Sequence, residues 1–252
     1  MIRLVYDGSF EGLLTAVFEV FEYHYADVEI VCSTHTLGAL FSEEQEVVTH
    51  FEKAERVVKG IEKYADKSAV NQLLKVFLSE DPQRESLILY AVRYLVNTKE
   101  NIFENYADAQ MMRIARLVKS VQRESHRMKA FVRFQKLQDE SFFAQIAPDF
   151  DVLPLIIKHF KDRYADQKWM IYDLKRGYGI YYDLEEEVLP VVPDAATKQK
   201  LRNPEAFFHK EERPYEALWK NYFQSVNIKE RYNPKLHRQY VPKRYWKYLV
   251  EK

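Results

Sequence analysis

The sequence predicts an α+β protein with a small N-terminal βαβ unit, a helical middle, a central antiparallel ββαββ sheet region and a helical C-terminus. Three observations predict it. Apolar and polar residues alternate in parts of the stretch 126–183, which is the period of half-buried strands. Apolar residues recur every three or four positions through most of 51–122, which is helical spacing. Four of the six glycines fall in pairs at 8 and 12 and at 177 and 179, which indicates turns or close backbone approaches.

The first 32 residues have the order of a parallel βαβ unit. Residues 2–6 and 28–32 are short apolar runs, and 10–25 has the apolar spacing of a helix with Glu11 in its first turn. A strand, a helix and a strand at this spacing favour parallel pairing. Residues 47–49 are a candidate for one further strand.

The helical middle divides at polar and proline-containing breaks. Asp66 and Asp108 are candidate N-caps, because a carboxylate there accepts hydrogen bonds from free backbone N–H groups. The predicted helices are 51–64, 67–79, 84–97 and 108–124.

The central region predicts two strands, a helix and a hairpin. In 128–137, Ala130, Val132 and Phe134 share the face that we expect to be buried. Lys175-Arg176-Gly177 is a candidate hairpin turn. The remaining elements are a strand at 142–147, a helix at 153–164, and hairpin strands at 169–174 and 178–184.

The C-terminal part begins with a proline-containing stretch, 190–203, that predicts a loop or linker. A helix follows at 211–226, and its apolar side carries Leu218, Trp219, Tyr222 and Phe223. We expect either one large domain over 1–252 or a subdivision into 1–125 and 126–252.

Composition excludes several classes of site. Cys32 is the only cysteine, which excludes an internal disulfide, a zinc finger and a cysteine-ligated iron–sulfur cluster within this chain. We therefore expect neither a cofactor nor a metal here. No apolar run approaches the roughly 20 residues of a membrane helix, and no signal peptide is evident. A cytoplasmic location without membrane contact is the expectation.

Positive charge is concentrated in two zones although the formal net charge is zero. Residues 111–138 contain eight Lys/Arg and one acid, a net +7, and residues 229–252 contain eight Lys/Arg and two acids, a net +6. Basic zones on an otherwise acidic chain are typical of proteins that bind a polyanion. The alternative is that both zones are solvated faces or pair with the acidic remainder of the chain.

The two basic zones and the hairpin turn supply the candidate nucleic-acid contacts. Arg113, Arg116, Arg123 and Arg127 recur at helical spacing and form one stripe if the helix extends to 127. In the tail, cations alternate with rings such as Trp246, a mixture that suits single-stranded nucleic acid. Alternatively Tyr245 and Trp246 pack into the core and anchor the C-terminus, and we expect Trp246 to be largely buried. The other candidates are Lys129, Arg133, Lys175, Arg176, Arg231, Lys235, Arg238, Lys243 and Arg244.

Several stretches together resemble one bacterial family. They are 6–14, 77–80, 126–134, 169–176, 218–223, 229–235 and 241–246. The chain resembles DNA repair or DNA metabolism proteins that are encoded beside a radical SAM protein of DNA modification or repair. A related domain is fused to uracil-DNA-glycosylase-like proteins. The resemblance covers nearly the whole chain and implies DNA and a radical SAM protein as partners, but it brings no catalytic residues.

Residues with catalytic chemistry are few. Asp7 and Glu11 lie at a strand-to-helix turn that is either an anion site or a capped tight turn. His126 lies between Arg123 and Lys129, which disfavour its charged form and leave a neutral base or an ordinary polar contact. Asp173 and Asp183 lie on the hairpin strands. They either face each other and hold a divalent metal or perform acid–base chemistry, or they pair with the nearby Lys175 and Arg176.

These observations predict a DNA-binding protein of repair or modification that acts with a radical SAM partner. The alternative is a nuclease- or glycosylase-like enzyme built on the carboxylates just named. Phosphate contacts do not distinguish DNA from RNA, nor single strands from duplex.

Overall fold

The structure is a computed structural model. It describes residues 1–35, 43–185, 188–202, 204–210, 212–226 and 233–249. The chain forms two compact units, Met1–Gln122 and Arg123–Lys252, which are described separately. Helices and two sheets make it an α+β protein, as the sequence predicts. Within the described residues, no helix is long and apolar enough to cross a membrane.

The first unit contains a three-stranded parallel sheet. Strand β1 (Ile2–Tyr6) lies between β2 (Val28–Cys32) and β3 (Glu43–Glu46), and helix α1 (Phe10–Glu22) connects β1 to β2. The predicted βαβ unit is therefore present. The third strand ends at Glu46, just before the 47–49 segment that the sequence indicated.

Helices complete the first unit. Helices α2 (Phe51–Tyr64), α3 (Lys67–Leu78) and α4 (Arg84–Thr98) agree with the predicted bounds within a residue at each end. Asp66 caps α3 as predicted, since its Oδ1 accepts hydrogen bonds from the Ser68 and Ala69 backbone N–H groups at 2.8 and 3.1 Å. One apolar cluster of strand and helix side chains, including Leu4, Leu13 and Ile88, forms the core of this unit.

Helix α5 (Ala109–Phe131) is longer than predicted, and the strand expected at 128–137 is reduced to β4 (Gln135–Lys136). Met128 and Val132 are buried at helical spacing after Val121, whereas Ala130, assigned to the buried strand face, is exposed. The buried Glu124 interrupts the apolar series at 121–132. This polar residue hid the helical period, and the short alternation that followed was misread as a strand.

The second unit contains a five-stranded sheet in the order β4-β5-β6-β7-β8. The elements after β4 are β5 (Phe142–Ile146), α6 (Leu153–Arg163), β6 (Trp169–Asp173), β7 (Tyr178–Tyr182) and β8 (Leu189–Val191). The predicted order of two strands, a helix and two strands is correct, but the sheet is mixed. Strands β5 and β6 are parallel because the crossover helix α6 returns the chain to the edge where β5 began.

The hairpin is antiparallel as predicted, with β6 paired to β7 around Lys175-Arg176-Gly177. Gly177 has φ +72°, a conformation that side chains with a Cβ rarely adopt. The stretch predicted as a loop or linker instead contributes β8 to the sheet and forms helix α7 (Ala195–Arg202).

Short helices form the C-terminal part. Helix α8 (Glu212–Val226) agrees with the predicted helix, and α9 (Pro234–Tyr240) and a 3-10 helix (Lys243–Tyr248) follow it. Asn233 caps α9 by accepting a hydrogen bond from the Leu236 N–H at 3.0 Å. The ring buried in the core is Tyr245, 1 % exposed, whereas Trp246 is only half-buried. The predicted burial of Tyr245 is therefore confirmed, whereas the expectation of a largely buried Trp246 was wrong.

Candidate nucleic-acid interface

Within the described residues, the predicted arginine stripe on α5 contains cations with and without protein partners. The Arg113 guanidinium lies 2.8 Å from an Asp81 carboxylate oxygen and also donates to the Gln83 side chain. Arg127 donates to the Gln239 carbonyl at 3.1 Å and lies 3.9 Å from a Glu124 carboxylate oxygen. Both arginines therefore serve contacts within their own units.

Three exposed cations on α5 remain available to a ligand. Arg116, Lys119 and Arg123 follow one another at intervals of three and four, which places them on one helix face. Among the described ranges, none of the three has a hydrogen bond or ion pair to a protein side chain. Lys119 was not among the predicted contacts, although its helical spacing from Arg116 and Arg123 was visible in the sequence. We call these three residues the α5 cations. Lys129 is also exposed.

The tail cations differ among themselves. Lys235, Arg238 and Lys243 are exposed, as expected. Arg238 donates to the Pro234 carbonyl at 3.1 Å, and the Lys243 ammonium lies 5.9 Å from the centre of the Trp246 ring. Arg231 lies outside the described residues.

Arg244 belongs to a partly buried ionic network. Its guanidinium lies 3.0 Å from Glu124 and 2.9 Å from Asp149, and it donates to the Tyr245 hydroxyl at 2.6 Å. Burial opposes the charge, but Glu124, Tyr245 and Asp149 outweigh it and raise the pKa of Arg244. The network attaches the C-terminal segment to α5 within the second unit, which is a structural role for a predicted nucleic-acid contact.

The basic hairpin turn is also held by protein groups. Asp173 is fully buried, and its Oδ2 accepts a hydrogen bond from the Arg176 guanidinium at 2.7 Å. Lys175 donates from its ammonium group to the Asp149 carbonyl at 2.9 Å. Asp183 lies beyond the Tyr182–Trp169 pair, at the other end of the hairpin from Asp173. The two aspartates therefore do not face each other.

The Asp7 turn is a capped turn. Asp7 accepts hydrogen bonds from the Ser9 backbone N–H, the Ser9 hydroxyl and the Thr49 hydroxyl at 2.8, 2.6 and 2.7 Å. Burial opposes ionisation, but the hydrogen bonds from Ser9 and Thr49 outweigh it and lower the pKa of Asp7. A Cβ at Gly12 would lie 2.2 Å from Asp7 Oδ1. An ionised carboxylate at the start of α1 disfavours an anion there.

The remaining catalytic candidates, Glu11 and His126, belong to different units. Glu11 is exposed in the first turn of α1, in the first unit. His126 is exposed on the part of α5 that belongs to the second unit. Over the described part of the chain, no group of three or more His, Cys, Asp and Glu side chains could hold a metal ion.

The second unit contains a cavity of about 920 Å³, which we call the aromatic cavity. Rings dominate its lining. Phe134 lies 5.3 Å from Tyr164 and 6.1 Å from Trp169 between ring centres, so these three rings support one another. The lining also includes Arg133, Arg163, Glu212, Tyr215, Glu216, Leu218, Trp219 and Tyr222.

Helix α8 supplies an exposed apolar face to this cavity. Tyr215, Leu218, Trp219 and Tyr222 stand at positions i, i+3, i+4 and i+7, and each is between 40 % and 63 % exposed. A helix of a globular protein normally buries such a face. The sequence placed Leu218, Trp219 and Tyr222 on one side of this helix, but only the tertiary structure shows that they stay open to solvent beside a cavity.

Two arginines accompany the rings. The Arg133 guanidinium lies 5.8 Å from the centre of the Trp219 ring and donates to the Ala130 carbonyl at 2.8 Å, near the end of α5. Arg163 is exposed, and its guanidinium lies 5.6 Å from the centre of the Tyr164 ring. Of these, only Arg133 was a predicted contact. The cavity thus combines cations and aromatic faces.

Two carboxylates form the polar wall. Glu212 is buried, and its Oε2 accepts a hydrogen bond from the Lys136 backbone N–H at 2.9 Å. Glu216 Oε1 accepts one from the Gln135 side-chain amide at 2.7 Å. Burial raises the pKa of Glu212, and the Glu216 charge adds to that rise. Neither glutamate was a predicted site residue. Their spacing indicates only that they share a helix face, whereas the position of the cavity depends on tertiary packing.

The sequence of the second unit and of part of the first matches a known protein family. A family model for DUF4130, a domain of unknown function, matches residues 82–251. The chain belongs to the DUF4130 family. The DUF4130 match includes α4, α5 and every residue of the aromatic cavity, whereas the N-terminal sheet and the helices α1 to α3 precede it. The comparisons with curated proteins and with solved structures gave no match.

Proposed function

We propose that this DUF4130 protein binds DNA during repair or modification and that the aromatic cavity accepts unpaired nucleotides. The observation that carries the proposal is the association of Arg133 with the exposed Trp219 ring at the cavity. Proteins that bind single strands combine aromatic stacking platforms with cations along the backbone path. Both kinds of group are present here.

The α5 cations support the same function independently of the cavity. Exposed cations without carboxylate partners are placed to contact phosphates and release counterions from the nucleic acid. Because phosphate contacts do not read sequence, these residues supply affinity, and the aromatic cavity supplies the preference for unpaired bases.

A radical SAM protein is the proposed partner. The family resemblance motivates it, and the composition supports it, since a chain with one cysteine cannot ligate an iron–sulfur cluster with its own thiolates. In this proposal the partner performs the chemical step and the present chain binds the DNA.

The enzymatic alternative receives less support from the geometry. Asp173 is neutralised by Arg176, Asp7 is held in a capped turn, and Asp183 is remote from Asp173 in the hairpin register. Within the second unit, Asp173 and Asp183 therefore do not form an acid–base pair.

The test compares binding of a labelled single strand and the matching duplex by fluorescence anisotropy. We expect Trp219→Ala to weaken single-strand binding by about 1–3 kcal/mol, the contribution of one stacked base, and to affect duplex binding less. Phe51→Ala is the matched control, because Phe51 is an exposed ring in the first unit. Unchanged single-strand affinity in a folded Trp219→Ala protein would contradict the proposal.

A further inference from the structure

We propose that the aromatic cavity recognises a nucleobase with an exocyclic amino group, with Glu212 and Glu216 as the acceptors. This inference rests on the proposed function and deepens it, because it identifies which unpaired bases the cavity prefers. Cytosine is the smallest base of this class, and thymine is the matched base that lacks the amino group.

The carboxylate oxygens of Glu212 and Glu216 are the proposed hydrogen-bond acceptors. Each glutamate uses one oxygen for a protein donor, Glu212 for the Lys136 backbone N–H and Glu216 for the Gln135 amide. The other oxygens, Glu212 Oε1 and Glu216 Oε2, accept no hydrogen bond from the described residues. Both glutamates line the aromatic cavity one helical turn apart. The bonded oxygens hold the side chains in place, so the other two form a pair of fixed acceptors.

The lining of the cavity favours a flat ligand. The acceptors are surrounded by rings, including Phe134, Trp169 and Trp219, which favour a flat ligand with a π-face. A cavity of about 920 Å³ is within the size range of small-molecule sites and accommodates a base with its sugar and phosphate.

The charges of the lining residues distinguish a nucleotide from a cationic ligand. Rings beside carboxylates also suit an alkylammonium ligand, which would be attracted by both. Arg133 and Arg163 line the same cavity and repel such a cation, whereas they attract the phosphate of a nucleotide. A ligand with amino donors at one end and a phosphate at the other matches the whole set of lining groups.

The two carboxylates should favour cytosine over thymine. The cytosine amino group carries two N–H donors for carboxylate oxygens, and carboxylates are the usual acceptors for this group. Thymine has a carbonyl oxygen at the same ring position, and two carboxylates facing that oxygen would leave it without a donor and repel it. The two pyrimidine rings have similar size and stacking surface. Thymine also differs by its N3–H donor and its C5 methyl group, so the Glu216→Gln variant is needed to isolate the contribution of the carboxylate.

The experiment measures the affinity of the full chain for single-stranded cytosine and thymine tetranucleotides at neutral pH, by isothermal calorimetry. We expect the cytosine tetramer to bind about tenfold more tightly, within the discrimination of one good base contact. Glu216→Gln should bring the two affinities close to equality, since an amide presents donors as well as an acceptor and can still bind Gln135. Glu100→Gln is the control, because it removes the same charge from an exposed loop of the first unit and should preserve the tenfold ratio.

The possible outcomes separate the two proposals. Equal affinity of the wild-type chain for both tetramers would overturn the amino-group inference and leave single-strand binding intact. Binding of neither tetramer would overturn both. A preference for cytosine that persists undiminished in a folded Glu216→Gln protein would also overturn the inference, because the discrimination would then arise elsewhere.

Discussion

The Arg133 guanidinium lies over the Trp219 ring, 5.8 Å from its centre, and so joins the end of α5 to the exposed face of α8. Arg133 follows a helix that carries exposed cations, and Trp219 stands among the rings of the aromatic cavity.

The α5 cations should set the salt dependence of DNA binding. Arg116→Ala combined with Arg123→Ala should weaken binding with little sequence dependence and reduce the slope of log affinity against log salt by about one to two units. Titrations at several salt concentrations measure this slope. Lys63→Ala with Lys67→Ala is the control, since these exposed cations lie on α2 and α3. An unchanged slope in the folded α5 variant would refute the assignment.

The C-terminal segment should be anchored by Tyr245, and Trp246 should contribute less. Truncating Tyr245, 1 % exposed, to Ala should lower the free energy of unfolding by about 3–5 kcal/mol, as for other large buried rings. Trp246→Ala should cost clearly less, because that ring is half-buried. Urea denaturation of both variants measures the difference. Equal losses would show that the two rings share the anchoring role.

Glu212 should make stability depend on pH in a defined direction. Burial and Glu216 raise its pKa, while the Lys136 backbone hydrogen bond and the charges of His209 and Lys136 oppose the rise. The folded state therefore holds the Glu212 proton more tightly than the unfolded state does. Its contribution favours folding at low pH and is lost as the pH rises from the ordinary glutamate range, about 4.3, through the raised pKa.

The corresponding variant is Glu212→Gln, which retains a side-chain oxygen for the Lys136 N–H. Relative to wild type, this variant should become more stable as the pH increases across that interval. Melting temperatures of both proteins between about pH 4 and pH 8 give the difference. A difference that is constant with pH would mean that Glu212 titrates normally.

The radical SAM partner should associate with this chain directly or on DNA. The purified chain alone should show no iron–sulfur absorbance, because Cys32 is its only cysteine. Co-purification and analytical sedimentation of the two proteins, with and without a single strand, should reveal a complex. Independent sedimentation under both conditions would remove the partner from the proposal while leaving DNA binding testable.

The sequence by itself determined the α+β class, the βαβ start, the helices of the first unit and the hairpin at Gly177. These elements are governed by local rules, such as the helical period, the Asp66 cap and a glycine with positive φ. It also supplied the two basic zones, which are properties of composition.

Only the tertiary structure decided how long α5 is and which strands pair. In the sequence, Glu124 is a polar residue that interrupts an apolar series. In the structure it is buried inside the second unit, where it contacts Arg244 and accepts a hydrogen bond from the Asp149 N–H. The parallel pairing of β5 and β6 depends on the path of α6 and not on either strand alone.

The same distinction applies to the candidate site. The cavity forms only when the sheet and α8 pack together within the second unit, because its lining residues, such as Arg133 and Trp219, are distant in sequence. Charge in the sequence did not reveal which cations were already paired: Arg176 binds Asp173 and Arg244 binds Glu124, whereas Arg116 and Arg123 remain exposed. The physical reason is that pairing depends on distances between side chains from separate elements, and those distances are set by packing.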